Sequence, residues 1–154
     1  MARPQECLHR GGPGLTATFL EEHVRRLQPL SHAAALTQWN AAVSGDPADY
    51  EAQRRAQLAL ETLYSDPVEL ARARALRAQD GPPALHRQLD LVVLAHVEKQ
   101  VAPALLERII GLQNEVERLF STFRATVNGR TLGDNDLRHL LRTSNDPAEL
   151  RAAW

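Results

Sequence analysis

Apolar residues along this chain recur in steps of three and four, the spacing that gathers them on one face of an α-helix. Phe19, Leu20, His23, Val24 and Leu27 form the first such face, and Leu36, Trp39 and Val43 extend it to Ser44-Gly45. Pro29 lies between the two groups and is expected to kink or interrupt the helix, because it lacks an amide donor and clashes with the preceding turn. Trp39 falls where a core residue would. A longer pattern follows, from Leu85, Leu89, Val92, Val93 and His96 to Val101, and after Pro103 through Leu105, Ile109, Leu112, Val116, Leu119, Phe120 and Phe123. It predicts either one kinked helix or two nearly collinear ones. Alternation in steps of two is confined to a few residues flanking Asn128-Gly129, a strong turn signal. The fold class is therefore all-α: a bundle of about six to seven helices with one long, kinked helix.

Three sites share a local device. Asp46-Pro47-Ala48-Asp49, Asp66-Pro67-Val68-Glu69 and Asp146-Pro147-Ala148-Glu149 each place an aspartate before a proline, with an acid three residues after the aspartate. The aspartate caps the first free amides, proline has no donor to waste at the first helical position, and the acid faces the positive end of the helix. Their spacing fits no fixed repeat, so they mark helix starts. Helices are expected over 47–64 and 67–79, with Gly81-Pro82-Pro83 ending that section. Thr131 with Asp134 offers a capping box for a short helix through Leu141. Residues 1–14, rich in glycine, proline and charge, read as a disordered leader, and 15–154 as a single helical domain.

Eighteen basic side chains against nineteen acidic ones leave a net charge of −1, so no basic field exists to hold a phosphate backbone and nucleic acid is disfavoured as a partner. Cys7 is the single cysteine, which excludes an internal disulfide and a cysteine zinc cluster. No apolar run approaches the roughly 20 residues of a membrane span, and the opening MARPQECLHRGGPG lacks the apolar centre of a secretory signal. A cytoplasmic protein without a membrane segment is the expectation.

The histidines match no sequence-local metal motif. His23, in FLEEHVRR, would need a second histidine where Leu27 stands, or, in the inverted order, where Phe19 stands. His96-Val97-Glu98 has no Pro-Cys-x-x-Cys to complete a deaminase site, and His96 reads as a hydrogen-bonded core histidine. His32, His86 and His139 read as surface or interhelical. Glu107, Glu115 and Glu117 belong with Arg108 and Arg118 to a solvated helix face. No catalytic residue, metal ligand or cofactor is assigned at this level.

The segment GLQNEVERLFSTFRATVNGRTLGDNDLRHLLRTSNDPAELRAAW, residues 111–154, resembles the N-terminal helical region of zinc peptidases of the angiotensin-converting enzyme and oligopeptidase type. The residues carrying the resemblance are Phe120, Phe123, Arg124, Ala125, Gly129, Asn135, Leu141, Thr143, Ser144, Asp146, Leu150 and Trp154. A looser similarity runs back through Trp39-Asn40-Ala41-Ala42 to Thr16. The resemblance implies helices that lid a deep channel and restrict it to short peptides. It also implies that zinc, expected only in a full-length relative, is held by a downstream His-Glu-x-x-His helix. That motif is absent from these residues, so no catalytic role is carried over.

On this reading Leu105, Ile109, Leu112, Val116, Phe120, Phe123 and Trp154 form an interaction surface, since the sequence that would cover them in a whole peptidase lies beyond Trp154. The expected partner is a second copy, in a homodimer, or a complementary chain, with peptides as a further ligand class. A stand-alone interaction or regulatory module without a proteolytic link is the alternative. By itself the chain is expected to hold no catalytic zinc and to hydrolyse no peptide, which a quenched-peptide assay on metal-analysed protein would check. Chelator-sensitive turnover by clean protein would contradict it.

Overall fold

The computed structural model describes residues 13–154, and the leader and Cys7 lie outside them apart from its last two positions. The described residues are all-α, with seven helices and one small hairpin. The helices are α1 (Pro13–Ser44), α2 (Pro47–Tyr64), α3 (Pro67–Arg77), α4 (Pro83–Val97), α5 (Pro103–Thr122), α6 (Asp134–Thr143) and α7 (Pro147–Ala153). Six of the seven start on a proline. Proline at that position loses nothing, because the first amides of a helix have no partner within it, and its fixed φ already suits the helix.

The Asp-Pro starts behave as their chemistry requires. Asp46 accepts from the Ala48 amide at 2.7 Å, Asp66 from Val68 at 2.8 Å, and Asp146 from Ala148 at 2.8 Å. The acid three residues on takes part less directly than a capping box would have it. Ser44 Oγ donates to Asp49 at 2.6 Å while accepting from the Asp46 amide at 3.0 Å. Ser144 repeats the relay with Glu149 and Asp146. Before α6, Thr131 is a strand residue, and the cap lies at Gly133, whose amide donates to Asp136 Oδ2 at 3.1 Å. The reason is the hairpin. Strands β1 (Ala125–Val127) and β2 (Arg130–Leu132) pair antiparallel, and Thr131 opposite Thr126 is committed to that ladder. The turn places Asn128 and Gly129 at φ 50° and 79°, the left-handed pair that a two-residue hairpin of this twist needs.

The structure decides against an interruption at Pro29 and corrects one further expectation in α1. The helix runs unbroken for 32 residues through Pro29. One lost hydrogen bond does not end a helix that is anchored on both sides of the gap, by Phe19, Leu20 and His23 before it and by Ala34 and Ala41 after it. Trp39 is not a core residue: it is 69% exposed, and Leu36 and Val43 are exposed beside it. Alanines hold the buried face instead, and small side chains let α1 and α2, the most extensively packed pair of elements, lie close together. The section from Leu85 to Phe123 is two helices, α4 and α5, with residues 98–102 between them.

Residues up to Asn114 form one compact unit and Glu115–Trp154 a second. The core of the first joins Phe19 and Leu20 of α1 to Ala73 and Leu76 of α3 and to Leu89 and Val92 of α4, with Leu85 and Val93 packed against it. Helix α5 buries Leu106 and Ile110, and Asn114 Nδ2 donates to the Tyr50 carbonyl of α2 at 3.1 Å. The second unit buries Val127 and Leu132 of the hairpin. Replacing Asp66 by alanine removes the acceptor for two α3 amides, Val68 and Glu69, and is expected to cost roughly 0.5–2 kcal/mol in denaturant unfolding. An unchanged midpoint would show that the cap does not hold α3.

Candidate functional site

Glu69 departs from the pattern set by the other two Asp-Pro helix starts. In α2 and α7 the acid at the third helical position bonds a serine placed two residues before the aspartate, Ser44 or Ser144. The corresponding position before Asp66 is Tyr64, which supplies no such hydroxyl at the cap. Glu69 turns into the first unit, where it is only 6% exposed. There His23 Nδ1 lies 2.8 Å from Oε1, and Arg26 Nη1 donates to Oε2. His23 and Arg26 are three residues apart on α1, so one helix face presents both partners to one carboxylate. A buried carboxylate is costly unless its charge and lone pairs are met, and here both oxygens are engaged.

His96 of α4 completes the cluster. It is fully buried, and its Nδ1 lies 2.9 Å from the Val92 carbonyl one turn earlier. A carbonyl can only accept, so Nδ1 carries a proton, and in the neutral ring the lone pair is then on Nε2. That Nε2 is buried and has no hydrogen-bond partner among the described residues. Donor atoms of His23, Glu69 and His96 all lie within 4.8 Å of one another.

Aromatic rings enclose the group. The imidazoles of His23 and His96 have centroids 5.6 Å apart, and Tyr64 lies 5.9 Å from the first and 5.3 Å, edge-on, from the second. Phe19 stacks on His23 at 6.3 Å, and the Arg72 guanidinium sits 5.1 Å over the Phe19 ring. Burial pushes the Tyr64 hydroxyl above the usual tyrosine range, and the negative charges of Glu61 and Glu69 push it further. Lys99 Nζ lies 2.9 Å from Glu61, and Gln100 Nε2 donates to the carbonyls of Tyr64 and His96, which ties the segment after α4 to the same corner.

The residues singled out as an interaction surface are all exposed, from 38% at Ile109 to 98% at Trp154. Leu105, Ile109 and Leu112 belong to the first unit, and Val116, Phe120, Phe123 and Trp154 to the second. The α5 residues that do become buried, Leu106 and Ile110, are each the next residue along from an exposed one. His32 and His139 are exposed, and His86 reaches the Gln79 carbonyl at 2.9 Å. His96 is the hydrogen-bonded core histidine expected. The meeting of His23, Glu69 and His96 is invisible to motif spacing, because each comes from a different helix. Its one trace in the sequence is tyrosine in place of serine before the second Asp-Pro. Compared with known proteins, the chain matches no family model, no curated protein and no solved structure.

The raised Tyr64 pKa has a definite sign in stability. The folded state holds the phenolic proton more tightly than the unfolded chain, so this contribution is intact below the ordinary tyrosine pKa and is lost as pH rises through the higher folded value. Absorbance titration should show late tyrosinate formation that disappears in Tyr64→Phe. A titration unchanged by that substitution would contradict the placement of this hydroxyl.

Proposed function

We propose that the chain is a non-catalytic helical domain of the kind that lids the substrate channel in zinc metallopeptidases of the peptidyl-dipeptidase and oligopeptidase type, completed by further polypeptide. The observation that carries this reading is the survival of bulky apolar rows at helical spacing on helices whose other face is already buried. In the first unit these rows are Leu36, Trp39 and Val43 on α1 and Leu105, Ile109 and Leu112 on α5. The second unit separately exposes Val116, Leu119, Phe120, Phe123 and Trp154. Single exposed apolar residues are ordinary, but rows of them on soluble proteins normally meet a partner.

The resemblance over residues 111–154 favours, as that partner, the body of a peptidase that carries the zinc helix. No helix among the described residues is long and apolar enough to cross a membrane. A cytoplasmic location belongs to this proposal. Where the peptidase body is lacking, a second copy is the simplest substitute, because a two-fold contact lets one patch serve both sides.

A His-Glu-x-x-His reading frame is expected downstream of the Trp154 codon or in an adjacent gene. The protein it encodes should form an equimolar complex with this chain and gain peptidase activity from it. Trp39→Glu and Leu112→Glu should each weaken that complex while leaving the helical content of the chain unchanged. The chain alone should self-associate in light scattering across a dilution series. A monomer at every concentration, with no such frame nearby, would overturn the peptidase reading in favour of a stand-alone regulatory module.

A further inference from the structure

We infer that His23, Glu69 and His96 form a binding site for a single divalent transition metal of the zinc class, with a structural role. The donor set is two imidazole nitrogens and one carboxylate oxygen, the combination that zinc and cobalt accept readily and that calcium and magnesium do not favour. Donors held about 2.0–2.2 Å from a tetrahedral ion lie roughly 3.4 Å apart. The His23–Glu69 separation of 2.8 Å is shorter than this, and the full cluster spreads to no more than 4.8 Å. An ion therefore requires side-chain movements of an ångström or so, without rearrangement of the helices.

Two further observations point to a ligand. The first is the Nε2 of His96, a buried lone pair without a donor in a fully buried side chain. Leaving such an acceptor unmet costs free energy that a leucine in the same place would not. The second is the outer hydrogen bonding. The Val92 carbonyl takes the Nδ1 proton of His96 and fixes the tautomer that presents Nε2, the arrangement commonly seen behind metal-binding histidines. Arg26 occupies Oε2 of Glu69 and leaves Oε1 for the ion. His23 gives up its hydrogen bond to Glu69 on binding: in the neutral ring the proton moves from Nδ1 to Nε2, and the Nδ1 lone pair turns to the metal.

Such an ion would tie α1, α3 and α4 together at one end of the core that these helices share. It is separate from any catalytic zinc of a peptidase body. The inference does not rest on the proposed function, since it uses residues of the first unit alone.

The test uses the full chain, stripped with chelator and titrated with Co²⁺ and then Zn²⁺. One Co²⁺ per chain is expected, with the intense visible bands of a site made four-coordinate by the three side chains and one water, their loss on adding Zn²⁺, and a higher thermal midpoint with either metal. His96→Leu, which keeps the site filled, should abolish the bands and the metal-induced shift. Cys7→Ser and His32→Ala should preserve both. If His96→Leu does not fold, His23→Asn provides the same comparison. Failure of the wild-type chain to bind equimolar metal, weak six-coordinate bands, or binding that survives the loss of either histidine would overturn the inference.

Discussion

A carboxylate taken out of water at the first turn of a helix constrains how the front of this molecule can be arranged. Glu69 is held there by the Asp66-Pro67 start of α3, and its two oxygens are met by His23 and Arg26 of α1. Removing either partner would leave charge in an apolar setting, a loss typically larger than the net worth of the pair itself. The register between α1 and α3 is therefore set by one polar triad, while the apolar contacts of Phe19, Leu20, Ala73 and Leu76 supply the bulk of the attraction. Apolar packing is tolerant of small slips. A buried carboxylate with fixed hydrogen-bond geometry is much less so.

Local chemistry was the most legible part of this fold in the sequence. The Asp-Pro starts of α2, α3 and α7 stand where they were expected, and Asn128-Gly129 turns the only hairpin among the described residues. These features depend on a few neighbouring residues and on backbone geometry, so they can be read without knowing the partners. Thr131 shows the limit of that approach: a plausible cap became a strand residue because its pairing with Thr126 took precedence. Pro29 shows another limit, since the packing on both sides of it preserved a helix that local rules would interrupt.

What periodicity could not decide was which apolar face turns inward. Leu105 and Leu106 are adjacent, as are Ile109 and Ile110, and in each pair the second is buried and the first exposed. A rotation of about 100° along a helix separates neighbours, so both faces of α5 carry an acceptable stripe. The choice rests on α2, where the Tyr50 carbonyl and Gln53 receive Asn114. The histidine cluster was hidden for a related reason. Its members lie on α1, α3 and α4, and sequence spacing registers only ligands that share one element.

The small residues on the buried side of α1 carry a consequence for how this chain can vary. Ala41 is completely enclosed, and Ala34 nearly so, where α1 runs against α2. A larger side chain at either position would have to pry two helices apart, whereas Trp39, between them, could become polar with little effect on folding. Hydrophobicity and constraint are thus inverted along this stretch. Under selection for the fold alone, the alanines would stay fixed while the tryptophan drifted, so a tryptophan retained at position 39 across natural variants would record selection by a binding partner.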